Sequence, residues 1–247
     1  VPKLYERPGG HYATHRRTDP RWAAHIRDAL GDAAVVVNVG AGLGSYEPTD
    51  RRVVAVEPAA GMIAQRPAGS APVVRGVAEA LPLANDVADA AMAVLTVHHW
   101  RDLAAGIAEM RRVARRLVVV TWDPALVGTR FWFVRDYLPE VMAHEAGLAT
   151  LDDVRRHLRG ADVRPLPVPS DCTDGFFAAY WARPHAYRDP TVRAAISGLA
   201  LLDQRLVTAA VDRLGRDLES GRWDATYADL AGRTELDVGY RLVVADA

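Results

Sequence analysis

Between residues 35 and 124 the chain alternates between short apolar blocks and amphipathic ones. VVVNVG (35–40), RRVVAVEP (51–58), the stretch opening APVV (71–82), ADAAMAVLTVHHW (88–100) and RLVVVTWDP (116–124) are rich in β-branched or small apolar residues. Such unbroken short runs predict strands buried on both faces. AAGMIAQR (59–66) and RDLAAGIAEMRRVAR (101–115) predict helices; in the second, Leu103, Ile107, Met110 and Val113 or Ala114 share one face. Ahead of the first strand, Trp22, Ile26 and Leu30 recur at helical spacing between Pro20 and Gly31, which predicts an amphipathic helix over 20–31. Strands alternating with helices at this rhythm predict a parallel sheet with helices on both faces.

After Pro124 the rhythm loosens. The pattern predicts a helix over 130–147 broken near Pro139, and a helix over 150–160 capped by Thr150 with acids in its first turn. Prolines in 161–169 confine that stretch to an edge strand. A long aromatic-studded helical region, 174–231, precedes a final strand over 235–246. The expected organisation is a single domain over 1–247. Residues 35–124 form its ligand-binding half and 125–247 its substrate side, with a helical cap over about 174–231.

Composition narrows the chemistry. Half of the residues are hydrophobic, and 30 basic residues balance 31 acidic ones for a net charge of −1. That balance predicts no nucleic-acid partner. Cys172 is the only cysteine, so no internal disulfide or cysteine-rich metal site can form, and a reducing cytoplasmic setting is expected. No apolar run reaches bilayer length and no leader-like segment opens the sequence, so no membrane association is expected. His11 and His15 have i,i+4 spacing, but no further ligand completes a site; His98 and His99, read as part of an extended segment, point to opposite sides. No metal is expected.

The glycines after the first strand carry the strongest functional signal. Gly40, Gly42 and Gly44 follow a buried run, where backbone N–H groups come close to a ligand. A phosphate-cradling P-loop needs a Lys that is absent here. A dinucleotide fingerprint needs glycine at the sixth position, which is Ser45; the third glycine comes one residue early. Glu57 ends the second strand, where a carboxylate can accept both hydroxyls of a ribose; the bland alternative is an exposed strand-end acid. An acid after the third strand, in Gly76-Val77-Ala78-Glu79-Ala80-Leu81-Pro82, can meet an exocyclic amine, and Met62 can pack on a ring face.

Taken in order, N-V-G-A-G-L-G (38–44), V-V-A-V-E-P (53–58), G-V-A-E-A-L-P (76–82) and V-L-T-V-H-H-W (94–100) resemble the class I S-adenosylmethionine-dependent methyltransferases. The branch they are most similar to is the small-molecule one related to ubiquinone and menaquinone methyltransferases. The resemblance implies a Rossmann-like, doubly wound α/β fold with a seven-stranded mixed sheet, the last strand inserted antiparallel, and a helical cap. It implies S-adenosyl-L-methionine as cofactor. Gly40, Ala41 and Gly42 would line its methionine part, Glu57 with Pro58 and Met62 its ribose and ring, Ala78 and Glu79 its adenine edge, and Leu95 its sulfonium side. Tyr12 and Arg16 match a Tyr-x3-Arg that closes over the methionine carboxylate in similar enzymes. Two departures stand out: Asn38 replaces a common acid, and Glu79 stands where Asp is common.

Methyl transfer needs alignment first and a base only where the nucleophile must lose a proton. His98 and His99, just after the fourth strand, are the candidate catalytic bases. Trp122, Phe131, Trp132, Tyr137, Phe176, Phe177, Tyr180 and Trp181 are the candidate substrate wall, two or three of them in the pocket and the rest in packing. The expected activity is methylation of a small organic acceptor, of the kind found in secondary metabolism. Alternatives stay open: a pericyclase or decarboxylase that retains the cofactor, an NAD enzyme, or a non-enzymatic binding subunit. The glycine spacing speaks against NAD, and the retained Gly40, Gly42 and Glu57 speak against a degenerate fold.

Overall fold

The computed structural model describes residues 14–246. Five strands, β1 (Val35–Val39), β2 (Arg52–Glu57), β3 (Val73–Arg75), β4 (Ala88–Val94) and β5 (Ala114–Trp122), pair in parallel in the order 3-2-1-4-5. The sheet is extended by β6 (Asp162–Pro165) and β9 (Tyr240–Asp246). The last strand inserts between β5 and β6, antiparallel to both. This is the seven-stranded mixed sheet the sequence implies. A separate ribbon joins β7 (Val168–Pro169) to β8 (Glu235–Leu236).

Alternation along each strand sends side chains into two cores. Val36, Met92, Val118 and Val120 face one side with Trp22, Ile26 and Leu30. Val37, Ala91, Leu117 and Val119 face the other with Ile107, Met110 and Val113. Both faces are therefore covered, which is why these strands read as continuous apolar runs. The first core includes helix α1 (Pro20–Ala29), capped by Asp19 with Pro20 in its first turn. The second includes α3 (Leu103–Val113), capped by Asp102; α2 (Ala60–Ala64) follows β2.

Several boundaries differ from the sequence pattern. The fourth strand stops at Val94, not Trp100. Leu95 takes a left-handed conformation (φ 52°), and Val97–His99 form a 3-10 turn. No glycine or proline marks that stop, so the apolar run LTV reads as more strand. A separate helix, α4 (Pro124–Arg130), precedes the predicted helix over 130–147, which is two pieces: a π-turn over Phe133–Tyr137 and α5 (Glu140–Glu145). Asp123 caps α4 with Pro124 in the first turn, so Asp-Pro starts a helix as well as ending a strand. Thr150 and Asp153 form a reciprocal capping box on α6 (Leu151–His157). The predicted strand over 235–246 breaks at Gly239, whose φ of 114° suits glycine alone.

Residues 177–230 are helices and 3-10 turns, including α7 (Pro190–Ala195), α8 (Ser197–Ala200), α9 (Gln204–Glu219) and α10 (Arg222–Thr226). Their aromatic residues lock onto the π-turn. Phe133 stacks on Tyr187 with ring centroids 4.3 Å apart, and Trp132 meets Trp223 edge-on at 5.2 Å. The Trp132 and Trp181 indoles donate to the Trp181 and Val168 carbonyls, each at 2.9 Å. Cys172 is a free, buried thiol pushed up to about 12 by that burial.

Candidate active site

Strand order reverses at β1, whose neighbours are β2 and β4, and ligand sites in open α/β sheets form in the crevice at such a switch. A cavity of about 520 Å³ opens there. The loop after β1 forms its floor. The Gly40 and Ala41 N–H groups both donate to the Val56 carbonyl, at 2.8 and 3.1 Å. Gly40 has φ 71°, and a Cβ there would lie 2.2 Å from Thr96 Oγ1; only glycine lets this loop rest on the turn after β4. Gly42 has φ 52° with nothing within 4 Å of its missing side chain, so bare backbone faces the cavity.

Glu57, buried at the end of β2, pins this loop. One carboxylate oxygen accepts the Gly42 N–H and the other the Ala59 N–H, both at 2.8 Å. The exposed strand-end reading is thereby excluded. Pro58 and Met62 share the cavity wall with Glu57, and Met62 packs on Leu43 and Ala59. Ala78 and Glu79 also line it; one Glu79 oxygen accepts the Arg101 and Asp102 N–H groups at 2.6 and 3.3 Å. Leu95, on the wall at the end of β4, holds a backbone conformation that costs about 1–3 kcal/mol in a non-glycine residue. Such strain concentrates at working sites.

Beneath the glycine loop lies an ion pair the sequence did not reveal. Glu47 and Arg66 meet at 2.8 Å, both nearly buried. Arg66 also donates to the Gly42 carbonyl, and Asn38 Nδ2 donates to Glu47 at 3.1 Å. This explains the departure at position 38. A carboxylate there would face the Glu47 carboxylate, whereas an amide donates to it.

Arg16 reaches the same cavity, and Asp174, fully buried, grips it. Nε donates to one Asp174 oxygen at 2.7 Å, while the Tyr46 hydroxyl donates to the other at 2.8 Å. Asp174 carried no motif, and its Arg16 partner lies 158 residues away in sequence. Tyr12 lies outside the described residues.

His98 and His99 sit together on the wall. Their ring centroids are 3.8 Å apart, and the His98 ring packs edge-on against Trp122 at 4.2 Å. The expectation that they point to opposite sides is corrected: a 3-10 turn, not an extended segment, carries them. Burial holds His98 well below the usual imidazole range and lowers His99 to about 4, with Arg16 adding to both. Both are neutral at pH 7. The buried His98 Nδ1 has no hydrogen-bond partner among the described residues. Among the described residues no cluster of three or more His, Cys, Asp or Glu could hold a metal.

Of the eight candidate wall aromatics, Trp122, Phe176 and Phe177 line the cavity. Phe131, Trp132, Tyr137, Tyr180 and Trp181 are buried in packing. Tyr46, Trp100, Tyr240 and Glu145 also line the wall and were not foreseen. Burial raises the Glu145 carboxyl to about 7, with the Trp122 indole N–H pulling the other way.

A doubly wound sheet with a glycine loop at its switch point, a buried acid after β2 and a strained residue after β4 defines a nucleoside-binding class of enzyme. The comparisons then identify it. The family model described as a methyltransferase domain matches residues 37–119. A putative methyltransferase from an antibiotic biosynthesis pathway of Anabaena variabilis is 31% identical, with 94% of this chain and 99% of that one covered and a TM-score of 0.86. Two further solved structures share the fold. A possible histamine N-methyltransferase of Thermotoga maritima is 20% identical over 68% of this chain and 86% of that one, TM-score 0.54. The geranyl diphosphate C-methyltransferase of Streptomyces coelicolor, solved with S-adenosyl-L-homocysteine, is 18% identical over 91% and 77%, TM-score 0.51. No curated protein matches. The chain belongs to the class I S-adenosylmethionine-dependent methyltransferases, and S-adenosyl-L-methionine is its cofactor. The open backbone at Gly42 and the buried carboxylate of Glu57 fit that cofactor. Among the described residues no helix is long and apolar enough to cross a membrane.

Proposed function

We propose that this enzyme methylates a small organic acceptor, of the kind made in secondary metabolism, within the aromatic end of the cavity. The observation that carries this reading is the continuity of one chamber. Thr96 touches the glycine loop at Gly40, and two residues later His98 touches Trp122. The turn after β4 thus joins the cofactor floor to a wall made of Trp122, Phe176, Phe177 and Tyr240. A volume of about 520 Å³ lies within the roughly 300–1,000 Å³ of small-molecule sites. The structural relative from an antibiotic pathway supports the same substrate class.

When bound, S-adenosylmethionine supplies a methyl group on a cationic sulfonium, whose departure needs no protonation. Binding, alignment and exclusion of water are what the chain contributes. Gly40, Ala41 and Gly42 receive the methionine part along bare backbone. Glu57, with Pro58 and Met62 beside it, holds the ribose; Ala78 and Glu79 border the adenine. Arg16, oriented by Asp174, serves the methionine carboxylate through a charge-assisted bond. Leu95 shapes the sulfonium side. Neutral His98 and His99 stand at the acceptor end, with His98 Nδ1 open to a hydrogen bond. A buried polar atom without a partner costs about 1–3 kcal/mol, so an acceptor that bonds to it recovers that cost.

The test uses cofactor tritiated in its methyl group, incubated with the enzyme and cell extract divided into dialysable, protein and nucleic-acid fractions. Label is expected in the dialysable fraction. Label confined to a polymer fraction would overturn the small-molecule reading.

A further inference from the structure

Among the described residues, the acceptor end of the cavity contains a carboxylate, Glu145, that makes no ion pair; the adjacent His144 also lines the cavity but is largely exposed. Glu145 closes α5 and stands against α8. Its Oε1 lies 3.4 Å from the position a Cβ would take at Gly198, and Phe177 lies 3.8 Å from the same point. Gly198 therefore leaves room beside the carboxylate, in a niche walled by rings.

The other acids of the cavity wall have fixed partners. Glu57 is held by the Gly42 and Ala59 N–H groups, and Glu79 by those of Arg101 and Asp102. Among the described residues Glu145 makes no ion pair; its neighbours are the Trp122 indole and the Tyr240 ring. Arg16, on the wall, is gripped by Asp174, and no ion pair joins Arg101 to Glu145 among the described residues. His98 and His99 are neutral and offer no positive charge.

We propose that the acceptor is an apolar molecule carrying a basic nitrogen, and that the Glu145 carboxylate holds that nitrogen as an ammonium ion. This rests on the small-molecule reading above and deepens it. A desolvated carboxylate that lacks a cation is costly, and a bound ammonium removes that cost. A cation on a short apolar body also gains from nearby aromatic rings, and Trp122, Phe177 and Tyr240 line the same cavity. The raised Glu145 carboxyl is what such an incomplete pair produces. A carboxylate ligand would be repelled at this point, and a neutral one would leave the charge unpaired.

The test measures binding to the enzyme saturated with S-adenosylhomocysteine, by calorimetry, using three probes of one shape: tryptamine, tryptophol and indole-3-acetate. The amine is expected to bind about tenfold tighter than the alcohol, one decade being the scale of one modest ion pair. Glu145→Gln should abolish that preference while leaving S-adenosylhomocysteine and tryptophol affinities unchanged. Glu140→Gln, an exposed acid on the same helix, should keep it. An amine that binds no better than the alcohol, or a preference that survives Glu145→Gln, overturns the proposal. If the alcohol or the acid binds and the amine does not, the small-molecule chamber stands and the ammonium site falls. If no probe binds while S-adenosylhomocysteine does, both readings of the chamber fall.

Discussion

Replacing Glu145 by Gln removes a charge that the fold penalises, and the penalty has a defined pH signature. The folded carboxyl titrates at about 7 against an ordinary value of 4.5. Below 4.5 both folded and unfolded chains are protonated and the group is silent. Between these values the unfolded chain releases its proton first, so stability falls as pH rises. Each pKa unit is worth about 1.4 kcal/mol, which makes the loss between pH 5 and pH 8 about 2.5 kcal/mol. His98 and His99 act in the opposite sense. Their lowered values mean that stability is lost as pH falls below 6.5, where only the unfolded chain takes up protons. Burial raises the Tyr240 phenol, which stays neutral over this range, and His144 and Arg16 are present in both proteins. The difference between wild type and Glu145→Gln therefore isolates the carboxylate. The two proteins should melt within a few degrees of one another at pH 5. At pH 8 the variant should be the more stable, its advantage having grown by about 5–10 °C for a chain of this size. Calorimetry without ligand at the two pH values decides it. A difference that stays flat with pH would mean that Glu145 is solvated, and the ammonium site would lose its electrostatic basis.

Three other perturbations test the cofactor side. Glu57→Ala removes the acceptor of two backbone N–H groups and should weaken S-adenosylhomocysteine binding by about 1–3 kcal/mol, read by calorimetry; unchanged affinity would displace the ribose from Glu57. Gly40→Ala drives a methyl group into Thr96 at a left-handed backbone position and should cost more than about 2 kcal/mol. Gly42→Ala, with open space around it, should cost less stability than Gly40→Ala; denaturant midpoints measure both. Asn38→Asp sets a second carboxylate against Glu47 and should destabilise the protein by about 1–3 kcal/mol at pH 8. Most of that loss should disappear at pH 5 as the new acid protonates, and a pH-independent loss would refute the like-charge account.

Strands β1, β2 and β5 and helices α1 and α3 were legible because burial on two faces, or on one helical stripe, leaves a periodic trace in the sequence. The glycine loop and Glu57 were legible for a similar reason: a close backbone approach and a strand-end acid are local features. What escaped is non-local. Asp174 joins the candidate site only because the fold brings it to Arg16 and Tyr46, and Glu145 lines the cavity only because α5 closes on the far rim. The turn carrying His98 and His99 was hidden by its apolar approach, with Leu95 supplying a left-handed bend that usually belongs to glycine. The wall aromatics illustrate the same limit. Phe176 and Phe177 reach the cavity while Trp181, a few residues on, is sealed in packing, and composition cannot separate them.

The Asn38–Glu47–Arg66 arrangement beneath the glycine loop restricts how this sequence can change over time. Arg66 neutralises one acid, and Asn38 contributes a donor without adding another charge. Regaining an acid at 38 would require giving up Glu47 or recruiting a second cation. Losing Arg66 would leave the nearly buried Glu47 carboxylate without its cation, held only by the Asn38 amide and the Ala71 N–H. The three positions can drift only as a set, so related chains should exchange them together, in concert, rather than one at a time.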